Sequence, residues 1–195
     1  DCYMDKIAGG PELVGHISLD GGVAYNLEQT AAALDKAVSD VRVVALDRER
    51  HADLFKEIRA TGAQLELMGD GDVSGAIWAA RPDGPFDLLM GIGAAPEGVI
   101  SAAAIRGLGG VFEGRLVFRS EEEEARAEHM VGDDLTRLWQ AHDLCKSDDA
   151  IFAASGVCDG YLPGAILGDS TTTTFSEVID VQSGTVRRIE TTRKL

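Results

Sequence analysis

Val41-Arg42-Val43-Val44-Ala45-Leu46 is a short run of β-branched and apolar residues, and residues 50–60 then carry Leu54, Phe55 and Ile58 at helical spacing until Thr61-Gly62 stops them. One strand and one helix follow from that. The pattern repeats at once, with residues 64–68 as a strand, Asp70-Gly71-Asp72 as a loop, residues 73–80 as a helix and residues 81–85 as a Pro/Gly break. A third unit reads as a buried strand over 86–90, a glycine-containing turn over 91–96 and an alanine-rich helix over 97–108 that Gly109-Gly110 ends. Three successive strand–helix units with short connections imply parallel strands in a sheet covered by helices, because right-handed crossovers allow little else. The fold class is α/β.

Outward from this block the rhythm changes. Residues 112–118 read as another strand, residues 121–130 as a charged helix, residues 135–142 as a further amphipathic helix and residues 150–154 as a buried strand. Over residues 171–193 an alternating Thr/Val/Ile pattern broken by Ser183-Gly184 signals an antiparallel hairpin. Upstream, residues 27–37 read as a helix with Leu27, Ala31 and Leu34 on one side, and Gly9, Gly10, Pro11, Gly21 and Gly22 make the first 25 residues read as loop. Glu121 to Glu124 reads as a solvated helix start, where carboxylates favour the positive end of the dipole.

The chain of 195 residues carries 33 Asp and Glu against 18 Lys and Arg, a net charge of −15. Nucleic acid and anionic membrane surfaces are therefore poor partners, since long-range repulsion opposes the encounter. No apolar run approaches the ~20 residues that span a bilayer, and the opening residues lack the basic and apolar regions of a signal peptide and an initiator methionine. Three scattered cysteines, Cys2, Cys145 and Cys158, form neither a disulfide framework nor a metal knuckle, which fits a reducing cytoplasm.

In an open parallel sheet, ligands bind beyond the carboxyl ends of the strands, so the residues just after each strand are the ones to inspect. They are Asp47-Arg48-Glu49-Arg50-His51, Asp70-Gly71-Asp72 and the segment from Gly91 to Gly98. Arg48 and Arg50 offer planar forks that suit bidentate pairing with phosphate, or pair with surface carboxylates instead. Asp70 and Asp72 turn two carboxylates toward one ligand, to accept from sugar hydroxyls or hold a hard cation, or form an ordinary turn. Pro96 stands where a dinucleotide fingerprint needs its third glycine, so nucleotide binding is disfavoured, and it suits a first helical turn. Glu97 beside it is either a first-turn carboxylate or a metal ligand. His51 reads as a hydrogen-bonding surface histidine at a helix start. No GxSxG elbow, triad or zinc spacing is present.

The order Tyr3-Met4-Asp5-Lys6, Leu46-Asp47-Arg48-Glu49-Arg50-His51, Gly69-Asp70-Gly71-Asp72-Val73, Gly91-Ile92-Gly93-Ala94-Ala95-Pro96-Glu97-Gly98-Val99 and Ser183-Gly184-Thr185-Val186-Arg187-Arg188 resembles class II fructose-1,6-bisphosphatase. The family includes bacterial and cyanobacterial enzymes that also act on sedoheptulose 1,7-bisphosphate. The resemblance runs over essentially the whole chain. It implies a layered, lithium-sensitive sugar-phosphatase fold with parallel βα units and a C-terminal β-hairpin. It also implies hydrolysis of the 1-phosphate of fructose 1,6-bisphosphate in gluconeogenesis, in a cytoplasmic homo-oligomer dependent on Mg²⁺ or Mn²⁺. Carried over, Tyr3, Arg48, Glu49, Arg50, Asp70, Gly71, Asp72 and Ala94 contact substrate and Glu97 ligates the metal. Ala94 replaces an expected glycine and Glu49 a common proline, whose carboxylate must turn away from phosphate.

The family's remaining metal ligands, including an Asp-Pro-Leu-Glu-Gly-Thr loop, have no counterpart here. The expectation is a C-terminal portion, with residues 1–40 as a connecting segment and helix and residues 41–195 as the α/β domain. Such a portion alone is expected to have little activity and to self-associate. The alternative is a non-catalytic sugar-phosphate-binding module.

Overall fold

A computed structural model describes residues 2–132 and 134–194. In chain order the elements are β1 (Tyr3–Gly9), α1 (Gly22–Ala33), β2 (Arg42–Leu46), α2 (Ala52–Ala60), β3 (Gln64–Met68), α3 (Asp72–Ala79), β4 (Leu88–Ala94) and α4 (Ala95–Leu108). Then follow β5 (Val111–Val117), α5 (Glu121–Val131), β6 (Trp139–Gln140), α6 (Ala141–Leu144), β7 (Ile151–Ser155), β8 (Ile166–Leu167), β9 (Thr171–Asp180) and β10 (Val186–Lys194).

Two sheets result. The first has six strands in the order β3-β2-β4-β1-β5-β6. Its three βα strands are parallel, as their spacing requires, whereas β1 lies antiparallel between β4 and β5. The second sheet is antiparallel, in the order β10-β9-β7 with β8 also on β9, so the expected hairpin is extended by two further strands.

Apolar side chains on alternating faces build the layers. Ile7, Val43, Leu88 and Met90 face Leu27 and Ala31 of α1 and Ile58 of α2. Met4, Ala8, Val44 and Leu89 face the other way, onto Ala76 and Ala79 of α3 and Ala102 and Ile105 of α4. The far side of α3 and α4 then meets the second sheet through Ile77, Ala104, Phe152 and Ile179. Gly107 permits this last contact, because a Cβ there would lie 2.4 Å from Cγ2 of Ile179. Gly107→Ala is therefore expected to overpack the junction and destabilise the protein by about 1–3 kcal/mol in chemical denaturation, despite alanine's better helix propensity.

Four sequence readings are corrected. The first 25 residues are not loop: Tyr3–Gly9 is an interior strand whose partners begin at Leu88, so no local pattern announces it. The expected turn over 91–96 is strand as far as Ala94, held flat by pairing with Tyr3 to Lys6. The helix expected over 135–142 is instead a two-residue strand on β5 followed by α6, because Gln140 and Asp143 cap a helix that starts only at Ala141. The helix read over 27–37 begins earlier, at Gly22, and ends at Ala33, ahead of Asp35 with its positive φ of 50°. Among the described residues no helix is long and apolar enough to cross a membrane.

Candidate functional site

Because β1 runs against β4, its first residues lie beside the carboxyl end of the parallel strands. Tyr3 pairs with Ala94 on one side and Val117 on the other. The rim thus collects residues from β1, the β2–α2 turn, the start of α3 and the start of α4.

Met4, Lys6 and Ala8 alternate onto the α3/α4 face, which carries Lys6 into the interior at 1% exposure. Its ammonium donates to the Asp72 carboxylate and, at 2.9 Å, to the carbonyl of Ala94. Asp72 opens α3 and is buried, while Glu97, with Pro96 ahead of it, lies in the first turn of α4. The two carboxyl groups meet. Burial raises the Glu97 carboxyl above its ordinary range, the neighbouring Asp72 raises it further, and Lys6 opposes the shift. Space for this group comes from Gly93, where a Cβ would fall 2.1 Å from Oδ2 of Asp72 and 2.9 Å from Nζ of Lys6. Two carboxylates against one ammonium leave a net negative cradle suited to a hard cation. Among the described residues no group of three metal-ligating side chains gathers, so this chain supplies at most part of such a shell.

The other face of the rim is basic. His51 follows Arg50 in a short helical turn and is buried, with Nδ1 2.7 Å from the carbonyl of Leu46 and Nε2 accepting at 2.8 Å from the amide of Ile92. One neutral tautomer satisfies both contacts. That ring ties the end of β2 to β4, and Arg50 adds Nε and Nη2 bonds of 3.0 and 2.7 Å to the Ile92 carbonyl. The Arg50 guanidinium lies 5.1 Å from the centre of the Tyr3 ring, and that of Arg119 lies 4.3 Å from it. Asp5, near His51, has its carboxyl raised by burial, partly offset by the Lys6 amide, His51 and Arg115.

The structure thus brings Tyr3, Arg50, Asp72, Ala94 and Glu97 to one rim. It does not do so for every expected residue. Arg48 turns its guanidinium back to the carbonyl of Asp47 at 2.8 Å, and Glu49 and Asp70 are exposed without a side-chain partner among the described residues. Gly71 takes a left-handed φ of 89° just before α3. His51 is a buried strut rather than a surface residue. The glutamate run beginning at Glu121 is solvated except at Glu123, which is buried and accepts from the amide and guanidinium of Arg119.

Sequence reading passed over Lys6 and Arg119. Lys6 carried one usable signal, a charge in register with Met4 and Ala8. Arg119 carried none, because its contact with Tyr3 exists only across β1 and β5.

The family model described as bacterial fructose-1,6-bisphosphatase, glpX-encoded, matches residues 1–193. A D-fructose 1,6-bisphosphatase class 2/sedoheptulose 1,7-bisphosphatase of Synechococcus sp. (strain JA-3-3Ab) is 41% identical over 98% of this chain and 59% of its own length. A protein of the same description from Gloeobacter violaceus is 38% identical with the same coverage. The chain spans about three fifths of the length of these relatives. A match that runs from β1 through β10, with the rim built on residues from its first half, has one reading: this chain belongs to the class II, glpX-encoded family of fructose-1,6-bisphosphatases.

Proposed function

We propose that this chain carries the sugar-bisphosphate-binding rim and one metal ligand of a class II fructose-1,6-bisphosphatase, which releases the 1-phosphate of fructose 1,6-bisphosphate and accepts sedoheptulose 1,7-bisphosphate. The meeting of Lys6, Asp72 and Glu97 at the end of β4 carries the reading. In it Tyr3, Arg50, Asp72 and Ala94 face the substrate at the rim, Arg48, Glu49, Asp70 and Gly71 belong to the substrate-binding turns beside them, and Glu97 offers its carboxylate to Mg²⁺ or Mn²⁺. Such a cation, when bound, would polarise the phosphoryl oxygen and acidify a water.

The protein's own groups have separate tasks. Lys6 pairs with the Asp72 carboxylate and fixes it, leaving Glu97 oriented toward the rim. Arg50, locked on the Ile92 carbonyl, presents its remaining N–H donors to phosphate. His51 keeps β2 and β4 in register, so that these groups do not drift apart. A sugar-phosphatase fold, cytoplasmic gluconeogenesis and oligomeric assembly belong to the same reading. The last is supported by an apolar groove of about 830 Å³ between α4, β5 and α5, lined by Val99, Ile100, Leu116, Met130 and Trp139.

With only two carboxylates meeting among the described residues, the 195-residue polypeptide by itself is expected to bind sugar phosphate and metal but to release no phosphate above a metal-only blank. A non-catalytic sugar-phosphate-binding module is the second reading, favoured by that same short ligand set. Thermal melts separate them. A metal-ligating Glu97 requires Mn²⁺ to raise the midpoint and Glu97→Gln to abolish the rise, whereas a module predicts no response to metal. Failure to bind fructose 6-phosphate in calorimetry would remove both.

A further inference from the structure

Arg50 and Arg119 both rest against the Tyr3 ring, at 5.1 and 4.3 Å from its centre. Two guanidinium groups on one phenol repel each other. In a chain with 33 carboxylates, each could be expected to have its own acidic partner. Arg119 has one: Glu123 accepts from its Nε at 3.1 Å and from its Nη2 at 2.5 Å, and is itself held ionised, at about 2, chiefly by that bond. Arg50 has none among the described residues; its Nε and Nη2 bond only the Ile92 carbonyl. Neither guanidinium has a protein acceptor at its Nη1 among the described residues. With one carboxylate, Glu123, between two guanidinium groups, the pair keeps a net positive charge that suits an anion.

We infer that Arg119 is a substrate-binding residue, completing with Arg50 and Tyr3 the subsite for the phosphate that stays on the sugar. The inference rests on the proposed function and goes beyond it in adding a residue from the turn between β5 and α5. Three features support the assignment. Tyr3 pairs with both Ala94 and Val117, so its ring bridges the β4 side of the rim, where Asp72 and Glu97 lie, and the β5 side, where Arg119 begins the turn into α5. The Glu123 clamp uses the Nε edge of Arg119 and fixes the guanidinium plane, which reduces the rotamer freedom lost on binding. Finally, a dianionic sugar phosphate supplies the counter-charge that Arg50 lacks, and planar forks take phosphate in a bidentate manner that lysine cannot reproduce.

The test is calorimetric titration of the 195-residue chain with fructose 6-phosphate, which retains only the distal phosphate. Arg119→Met is expected to weaken binding about tenfold or more, as loss of a charge-assisted phosphate contact should. Arg119→Lys should recover part of the affinity, and Arg126→Met, which removes an exposed α5 arginine paired with Glu122, should leave it unchanged. Equal affinity of wild type and Arg119→Met overturns the assignment while leaving the proposed function standing. Equal losses in Arg119→Met and Arg126→Met report general charge and overturn it as well. A wild-type chain that binds no fructose 6-phosphate overturns this inference together with the reading beneath it.

Discussion

Lys6→Met is expected to lower the thermal midpoint by about 6–20 °C. Methionine fills much of the lysine's volume, so the effect is electrostatic rather than a cavity. The substitution leaves the buried Asp72 carboxylate beside Glu97 with no ammonium between them. Removing one partner of a buried pair costs about 3–5 kcal/mol, because the remaining charge is desolvated and unpaired. For a chain of this size each kcal/mol shifts the midpoint by about 2–4 °C.

The sign of the pH dependence follows. Without Lys6 the Glu97 carboxyl, already raised by burial and by Asp72, holds its proton more tightly in the folded state than in the unfolded one, so the deficit shrinks as pH falls into the carboxylate range and is fully expressed at neutral pH. Asp72→Asn in the Lys6→Met background should recover at least half the loss. A Lys6→Met protein that melts within about 2 °C of wild type would show that the pair is not the buried, mutually dependent unit described here.

The second large effect concerns how the two sheets are joined. Arg81, just beyond α3, donates at 2.9 Å to Glu177 of β9 and at 3.2 Å to the Tyr161 hydroxyl. Glu177 is fully buried and also accepts from Tyr161 and, at 3.1 Å, from Arg188 of β10. Burial alone would lower the Arg81 guanidinium, but Asp83, Tyr161 and Glu177 outweigh it and hold it raised. Burial raises the Tyr161 phenol and Glu177 raises it further. Arg81→Met should cost about 3 kcal/mol, toward the lower end for a buried pair because Arg188 still faces the carboxylate.

A double variant distinguishes charge from packing. Arg81→Met with Glu177→Leu removes both charges, and its unfolding free energy should return to within about 1 kcal/mol of wild type, since apolar replacement of a buried ion pair is often neutral. If the single variant loses less than about 1 kcal/mol, the two layers are held by Ile77, Ala104, Phe152 and Ile179 alone.

What the sequence disclosed and what it hid divide along the same physical line. The strand Gln64–Met68 begins and ends where its local pattern places it, and the parallel arrangement of β2, β3 and β4 follows from three short βα units. Those readings need only near neighbours. The strand Tyr3–Gly9 was hidden because its apolar alternation is broken by Asp5 and Lys6, the latter paired with the distant Asp72. The glycines of 91–96 looked like a turn for a related reason. In the fold they sit in a strand, and Gly93 is small because Asp72 and Lys6 occupy the space beside it.

At the site, carboxylates and arginines placed after strands were visible from topology alone, which is how Arg50, Asp72 and Glu97 could be singled out. Residues that act through contacts between distant strands were not. Lys6 and Arg119 depend on the β1–β4 and β1–β5 pairings, and nothing in their immediate sequence records those pairings.

The placement of β1 has a consequence for the order of assembly. Both of its partners are made about eighty or more residues later, beyond Leu88 and Val111, so on the ribosome the middle of the sheet stays open while α1, β2, α2, β3 and α3 emerge. Closing such a long loop is slow, and until it closes a bare strand edge is available to other nascent chains. Lys6 and Asp5 set two charges within that segment, the kind of residue that discourages pairing with other chains.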